Sequence, residues 1–596
     1  MYAFGVKFEI MVVYRDPNTG ETLHKIIGYE GSVSLLEALQ AQGFRIPAVC
    51  GGRGRCGKCK VRLLESWIEP APPDIEYFSP AELNEGWRLS CILVPTKNLR
   101  IFLPFSDETS FAAVDDFEPI PVEPGNLDCD VFRLEKKPES FIRQLEKTVG
   151  RGHTLEELSQ AAKLAPLTAE GKAQEQVYVQ RYRKKIVYIS REPQNLYGIA
   201  VDIGTTTITL CLVNLGTGKI SARRGMVNKQ REYGADVISR IKRANDGDLE
   251  AMSQSVRDQI AEGAAFLLNQ TQIKPDTVKA MAVAANTGML HLLFGLSCAA
   301  LGRFPFTPVT LDFIRCGYGE LFQGDIRCEV TALPGISAYV GADITAGLLF
   351  TRIQDSENPV LFMDIGTNGE MALKVENRLL VAAAAAGPAF EGGNIRWGMG
   401  SVSGAIARAS FRDGLWRVTT IGGKPALGIC GSGLVDAVSE GLRWNLIESS
   451  GRFSKAAIEN NGIILGKTQD GEYITLEQKD IRELQLAKSA ICSGVYALLH
   501  HEGLKSEDIE VLYIAGGFGY HLDFRAGTNI GLIPPNLLPK TRLIGNSSLG
   551  GAVRYLLDRK AEETLIRIVA ASEEYQLSGD PYFNELFIEQ VTFEKD

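Results

Sequence analysis

Apolar and polar residues alternate at the start of the chain, where Val6-Lys7-Phe8-Glu9-Ile10 puts every second side chain on one face, the period of a strand. Asp16-Pro17-Asn18-Thr19-Gly20 is turn chemistry, and Thr22 to Gly28 returns as a second strand, closing a hairpin. Ser34 to Gln42 has the spacing of a short helix, with Ser32 or Ser34 as cap and Gly43 as stop. Strands follow over Lys60 to Leu64 and around Leu99 to Leu103, which makes a small α+β unit of residues 1–105. The pattern then breaks. Asp115-Asp116-Phe117-Glu118-Pro119-Ile120-Pro121 is acidic and proline-rich, predicting a linker over 106–135. A charged helical pattern from Lys136 to Lys185 predicts a small middle domain over 136–197. From Gly198 onward apolar strands alternate with glycine turns and longer helical segments, the pattern of an α/β domain over 198–596.

Within that last region one stretch repeats. Ala200-Val201-Asp202-Ile203-Gly204-Thr205-Thr206 returns as Phe362-Met363-Asp364-Ile365-Gly366-Thr367-Asn368 about 160 residues later. A duplicated strand and Asp-x-Gly-Thr turn implies two similar halves facing one another. A chain of 596 residues is too long for one core, so several domains are expected in any case. The apolar content of 45% and charged content of 23% are those of an ordinary globular protein. A net charge of -9 argues against non-specific nucleic-acid binding. The longest uncharged run, Ala280 to Gly302, raises a membrane question, but Asn286-Thr287-Gly288 and His291 interrupt it, so a buried strand, turn and helix are expected. Met1 to Met11 has no basic start followed by an apolar stretch, so a cytoplasmic chain with no membrane and no nucleic-acid partner is the expectation.

The eleven cysteines change the picture from composition to chemistry. Without an export signal a disulfide framework is not expected. Cys129, Cys211, Cys298, Cys316, Cys328, Cys430 and Cys492 are scattered in apolar surroundings and read as small buried hydrophobes. Cys50, Cys56 and Cys59 cluster as C-x5-C-x2-C, with Cys91 after a further hairpin. Iron needs four converging thiolates, and three from one tight loop can wrap a dimetal core. Gly51, Gly52, Gly54 and Gly57 let that loop turn and aim N–H groups at sulfur, while Arg53, Arg55, Lys58 and Lys60 surround an anionic cluster with positive charge. Zinc sites favour paired C-x2-C knuckles, and only one pair has that spacing, so a [2Fe-2S] cluster fits better. The loop resembles that of [2Fe-2S] ferredoxins with five intervening residues, which implies a β-grasp fold for 1–105.

The repeated turns carry a second chemistry. A strand delivers Asp202 to its end, where a carboxylate holds Mg²⁺ through water. Gly204 allows close approach, and the N–H groups and hydroxyls of Thr205, Thr206 and Thr207 can wrap phosphate oxygens. Asp364, Gly366, Thr367, Asn368 and Gly369 offer the same from the other half. Gly428-Ile429-Cys430-Gly431-Ser432-Gly433 opens a helix, and Tyr513-Ile514-Ala515-Gly516-Gly517 is a strand ending in a Gly-Gly turn. Together these segments resemble the sugar kinase, heat-shock 70 and actin (ASKHA) superfamily of ATPases. The resemblance implies that the Gly-Gly turn and the helix ahead of it, with Gln485 and Lys488 one turn apart, receive adenosine; a solvated helix face is the competing reading of that pair.

A one-electron carrier fused to an ATP clamp suits uphill electron transfer, since each ~59 mV costs about 1.4 kcal/mol for one electron. The whole set resembles the reductive activators of corrinoid-dependent methyltransferases and corrinoid iron–sulfur proteins. Asn228-Lys229-Gln230-Arg231-Glu232-Tyr233-Gly234-Ala235-Asp236-Val237, Gly387-Pro388-Ala389-Phe390-Glu391-Gly392-Gly393-Asn394-Ile395 and Lys479 to Lys488 add to the match. That resemblance implies an ATP-hydrolysing reductase that returns one electron from the cluster to Co(II) of a corrinoid protein, restoring Co(I). Cys50, Cys56, Cys59 and Cys91 would hold the cluster, Asp202 and Asp364 the Mg²⁺ or its water, with Asp202, Asp364 and Glu391 as the carboxylates for hydrolysis. An external electron donor is needed, and a homodimer is compatible with the family. Two rival readings stand beside it. Activators of 2-hydroxyacyl-CoA dehydratases or aryl-CoA reductases bridge a [4Fe-4S] cluster with cysteines of the ATPase domain, whereas here the cluster cysteines are N-terminal. A ferredoxin-like docking module that senses nucleotide without turnover is the other.

Overall fold

The computed structural model describes residues 7–15, 22–30, 33–42, 44, 46, 54, 59–65, 67–103, 117, 119–133, 176–234, 236–459, 462–517 and 522–593. At the N-terminus β1 (Lys7–Arg15) and β2 (Thr22–Glu30) form the expected antiparallel hairpin. With β3 (Lys60–Leu63), β4 (Trp87–Leu89) and β5 (Leu99–Leu103) they make a five-stranded sheet in the order β2-β1-β5-β3-β4. Only β1 and β5 run parallel, the mixed sheet of a β-grasp. The helix Leu35–Ala41 lies on one face, burying Leu35 and Leu39 against Ile10, Val61 and Ile101. Ser34 caps it as read: its hydroxyl accepts from Glu37 N at 3.3 Å while Glu37 accepts from Ser34 N at 2.9 Å.

The expected linker over 106–135 gives way to a strand. β6 (Leu127–Arg133) pairs with β7 (Gln176–Tyr182), which pairs with β8 (Lys185–Ser190), and β7 also replaces helix at the end of the stretch read as helical. Asp128 and Asp130 made β6 look like linker, yet on a strand they alternate with Leu127, Cys129 and Val131, and Asp130 forms a diagonal ion pair with Arg181 of β7. Of the predicted middle domain, 136–197, residues 136–175 lie outside the described residues. Asn126 Nδ2 and Tyr182 Oη donate to Leu556 O at 2.9 and 2.8 Å, tying this small sheet to the large domain.

The repeat in the sequence is a repeat in topology. The first half has β9 (Tyr197–Ile203), β10 (Thr207–Asn214), β11 (Ile220–Val227), β12 (Val278–Ala285), β13 (Ile314–Gly317) and β14 (Glu329–Ala332), in the order β11-β10-β9-β12-β14-β13. The second has β15 (Val360–Ile365), β16 (Gly369–Val375) and β17 (Arg378–Ala384). It continues after an insertion of β18 (Ala405–Arg412), β19 (Leu415–Thr420), β20 (Gly428–Ile429), β21 (Ile463–Lys467) and β22 (Tyr473–Leu476). β23 (Val511–Ala515), β24 (Thr541–Gly545) and β25 (Ser572–Glu574) complete the order β24-β23-β15-β16-β17-β25. In each half an antiparallel meander (β9-β10-β11, β15-β16-β17) is followed by two strands parallel to the first (β12 and β14, β23 and β24). This is the duplicated actin, heat-shock 70 and sugar-kinase architecture.

Two helices cross between the halves, Ala342–Thr351 and Ser547–Leu557. Small residues let them touch: a Cβ on Gly551 would fall 2.0 Å from Ala346 O. The uncharged run Ala280 to Gly302 is a buried strand, a turn capped by Asn286 and the helix Thr287–Phe294, as expected. Buried His291 there joins Thr287 O through Nδ1 and accepts from Val309 N through Nε2. Among the described residues no helix is long and apolar enough to cross a membrane. Of the scattered cysteines, Cys211, Cys298, Cys430 and Cys492 are buried, but Cys129 is exposed and Cys316 and Cys328 are half-buried. Cys129 corrects the reading because its strand lies at the edge of a small three-stranded sheet, with one face in solvent.

Candidate functional site

The two Asp-x-Gly-Thr segments are both hairpin turns closed by their glycine N–H, the second one residue tighter than the first. Gly204 N donates to Thr207 O at 2.8 Å, and Gly366 N donates to Asn368 O at 2.9 Å. Each turn follows the first strand of its half, so the duplication brings both to one cleft. Their meeting point is Glu391, on the short turn Pro388–Glu391: its Oε2 accepts from Thr367 Oγ1 at 2.6 Å and from Thr206 Oγ1 at 3.3 Å. Thr205 is held from its own half, by Asn286 Nδ2 on its hydroxyl at 3.3 Å and by Arg240 on its carbonyl. Asn228, from the Asn228 to Val237 motif, donates through Nδ2 to Gly204 O at 2.8 Å and through its N–H to Thr206 O at 2.9 Å. That motif therefore shapes the first phosphate-sized loop from behind.

Carboxylates crowd the floor of the cleft. Asp202 accepts from Ser548 Oγ at 2.7 Å and Asn546 Nδ2 at 2.9 Å, both at the start of the crossing helix Ser547–Leu557. Burial raises its pKa against those two hydrogen bonds. Asp364 is pushed up to about 8, by burial first and then by Asp343, Asp202 and Glu391. Asp343, in the first turn of the other crossing helix, rises to about 7 through burial and the charge on Asp202. Burial, Asp343 and Asp364 push Glu370 well above the usual carboxylate range. Mutual repulsion in a sheltered cleft is relieved by a cation, and the donor set is oxygen throughout, which suits Mg²⁺. Among the described residues no three such groups converge closely enough to ligate a bare metal ion.

Gly516 closes the cleft on the second half. Its φ is +95°, and a Cβ there would sit 2.6 Å from Ile365 O and 2.7 Å from Asp364 Oδ1, so only glycine fits beside the carboxylate. Gly517 meets nothing within 4 Å of where a Cβ would be and leaves open space next to it. Gly369 lies tight against Ile491 of the helix Gln478–His501. Gly431 is the first residue of the helix Gly431–Arg443 and is buried.

At the other end of the chain, Cys59 precedes β3 and Cys91 follows β4, and both are buried. Ser90 N donates to Cys59 O at 2.8 Å, which draws the two cysteines together. They lie close enough that Cys91 raises the pKa of the Cys59 thiol, ahead of burial itself. Thiols forced together and buried fit a cluster that takes both as thiolates. Cys50 and Cys56 lie outside the described residues.

Comparison with known proteins bears on both sites. Residues 25–96 match the 2Fe-2S iron-sulfur cluster binding domain, 197–356 the RACo middle region, and 358–596 the C-terminal domain of RACo, the ASKHA domain. The corrinoid activation enzyme RamQ of Eubacterium limosum is 30% identical over 582 residues, covering 92% of this chain and 94% of that one. The chain belongs to the reductive activators of corrinoid proteins. A Methanosarcina barkeri protein named [Co(II) methylated amine-specific corrinoid protein] reductase is 26% identical over 67% of this chain and 77% of its own. The solved structure of a reductive activator for corrinoid, iron-sulfur protein superposes with a TM-score of 0.71 at 31% identity, covering 98% of each chain. An N-terminal [2Fe-2S] domain and a nucleotide-binding ASKHA domain are thus features of this activator.

Three side chains of the cleft were not anticipated from the sequence: Asp343, Glu370 and Arg240. Glu370 stands opposite Asp364 in the register of β15 and β16, so the hairpin itself could have pointed to it. Arg240, which burial lowers to about 9, was within reach of the Asn228 to Val237 motif. Asp343 sits at a helix start without a motif of its own. Gln485 and Lys488 are buried, which removes the solvated-face reading. Gln485 Nε2 donates to Ser450 O at 3.2 Å and its Oε1 accepts from Arg482 Nη1 at 2.7 Å. Lys488 Nζ donates to Thr592 O at 2.6 Å, 5.5 Å from the centre of the Phe593 ring.

Proposed function

We propose that this activator returns one electron to the Co(II) form of a corrinoid protein, restoring Co(I), and that ATP hydrolysis makes the transfer possible. The observation that carries the reading is Glu391, held at once by Thr206 of one half and Thr367 of the other, in a chain that also brings Cys59 and Cys91 together. A phosphate chain bound where those hydroxyls converge would be gripped by both halves, so binding and hydrolysis would change how the halves sit.

Cys50, Cys56, Cys59 and Cys91 would hold a [2Fe-2S] cluster, which supplies a single electron at low potential when bound. The backbone and hydroxyls of Gly204 to Thr207 and of Gly366 to Gly369 would wrap the phosphates. Asp202 and Asp364, with Asp343 and Glu370 behind them, would hold hydrated Mg²⁺. Glu391, Asp202 and Asp364 are the carboxylates we would test for taking a proton from attacking water. Gly516, Gly517 and the buried start of the helix at Gly431 would receive the nucleoside, with Gln485 and Lys488 from the neighbouring helix. The domain limits 1–105, 136–197 and 198–596 are retained as our division of the chain, with the linker shortened by β6. We place the activator in the cytoplasm with its corrinoid partner.

The test mixes reduced protein, Mg-ATP and candidate Co(II) corrinoid proteins and follows the absorption of Co(I). Co(I) appears only with nucleotide if the reading is right. No Co(I) with any candidate sinks it.

A further inference from the structure

The cluster-bearing domain does not hang free of the ATPase domain. Arg396 reaches Glu82 of the N-terminal domain at 2.9 Å through Nη2 and Glu477 at 2.6 Å through Nη1. Next to it, the Lys60 ammonium lies 5.0 Å from the centre of the Trp397 ring and 5.2 Å from that of Trp87. Lys479 lies 4.8 Å over the Tyr77 ring. Lys60 is the residue after Cys59, so the edge held is the one that carries a cluster ligand.

Arg396 and Trp397 are also the far end of the segment that begins at Glu391. The segment is a tight knot. A Cβ on Gly392 would fall 2.3 Å from Met399 N, and one on Gly398 would fall 2.3 Å from Gly392 O. Gly393 N donates to Pro388 O at 2.8 Å, Met399 N to Ile429 O at 2.9 Å, and Ile429 N to Trp397 O at 2.8 Å. Ile395 is buried inside it, and Arg396 N donates to Asp480 Oδ1 at 2.8 Å. A unit this close-packed moves as a piece rather than bending.

We propose that residues Glu391 to Met399 form a nucleotide-operated latch, which parks the cluster-bearing domain against the ATPase domain and lets it go when nucleotide enters the cleft. The inference rests on the reading of the cleft as an ATP site. The carboxylate of Glu391 takes the hydroxyls of Thr206 and Thr367, the same groups a phosphate would need. A triphosphate repels that carboxylate and competes for its donors, so Glu391 is displaced. The knot follows, and Arg396 and Trp397 are drawn from Glu82 and Lys60. The contacts holding the domain are partly exposed ion pairs and cation–π contacts, which are weak enough to be broken by such a shift and are screened by salt.

Hydrogen–deuterium exchange of the full-length holoprotein, kept anaerobic, tests this. Peptides covering 77–90 and 392–399 are followed with and without a non-hydrolysable ATP analogue and Mg²⁺, and calorimetry on the same samples reports whether the analogue binds. The latch predicts that the analogue raises exchange over 77–90 severalfold in the wild-type protein. Arg396→Ala and Glu82→Ala each raise it to that level without nucleotide, the double variant goes no further, and the analogue adds nothing to any of the three. Calorimetry should show all three variants binding the analogue severalfold more tightly than the wild-type, because none has the contact left to break. An analogue that binds by calorimetry while leaving 77–90 unchanged overturns the latch and spares the ATP site. Additive single effects overturn it too, since they would mean that Arg396 and Glu82 act independently. No binding by calorimetry overturns both.

Discussion

Asp364→Asn should make the nucleotide-free activator more stable, and increasingly so as pH rises. In the folded chain Asp364 titrates near 8 against a usual 3.8, because burial and the charges on Asp343, Asp202 and Glu391 oppose ionisation. The folded state therefore holds a proton that the unfolded chain releases, so the wild-type loses stability as pH climbs from about 4 to about 8 and levels off above. Each pH unit inside that window costs at most about 1.4 kcal/mol. Asp364 keeps some contact with solvent, so about half of that is a fairer figure. Asparagine has the same shape and no proton to lose. Its advantage over the wild-type should grow by about 1–2 kcal/mol between pH 6 and pH 8, and in a domain of this size that amounts to a few degrees in the melting temperature. Differential scanning calorimetry of both proteins, without nucleotide or divalent cation, gives the comparison. With Mg²⁺ and nucleotide the order should reverse, because the carboxylate that was a burden becomes the group the cation needs. The reasoning fails if Asp364→Asn melts no higher than the wild-type at pH 8, or if its advantage is flat with pH.

Cys91→Ser should remove the visible absorption and electron paramagnetic resonance signal of the reduced cluster, while nucleotide binding by calorimetry is unchanged. Cys56→Ala should abolish Co(I) formation with the same sparing of nucleotide binding. Gly516→Ala should cost about 1–3 kcal/mol of stability through its positive φ and weaken nucleotide binding, because its methyl meets Ile365 O and Asp364; equal affinity would exclude Gly516 from the site. Lys488→Met should loosen the C-terminal segment held at Thr592 O, seen as faster proteolysis after Glu589. Burial holds Lys488 down near 8, so the unfolded chain binds the extra proton between pH 8 and about 10.5 and the wild-type gains stability across that window. The methionine variant should show no such gain.

What could be read in the sequence was what local chemistry writes down. The Asp202 and Asp364 segments were visible because the same strand and Asp-x-Gly-Thr turn recurs in both halves, and the common sheet order of the halves goes with that repeat. The helix at Ser34 was visible because its cap is local. The strand β6 was not, because Asp130 spends its charge on Arg181 of the neighbouring strand, a partner that only the fold supplies. Cys129 was misplaced for the same reason, since burial belongs to the sheet and not to the neighbours in sequence. Asp343 illustrates the limit on the site. Nothing around it resembles the two clamps, and it reaches Asp202 and Asp364 only because the crossing helix starts at Gly341, pressed against Asn286 so closely that a Cβ would fall 2.5 Å from its Cα.

The carboxylates and Glu391 answer different questions about the same nucleotide. Once ionised, Asp202, Asp343, Asp364 and Glu370 would repel an anion unless a cation came with it, so on the proposed reading the ligand they would select is the metal complex and not free ATP. The cation that suits crowded but non-converging carboxylates is one that keeps its water, which is the habit of Mg²⁺. Glu391 faces the other way. It accepts from the hydroxyls that phosphate would use, and so in the proposed latch would tie the cleft to the parked state of Lys60 and Glu82. An electron that must go uphill should not leave before the nucleotide is in place, since a cluster free to meet other acceptors would lose it downhill. A carboxylate that yielded only to the triphosphate, and held the cluster domain until it yielded, would enforce that order with one side chain.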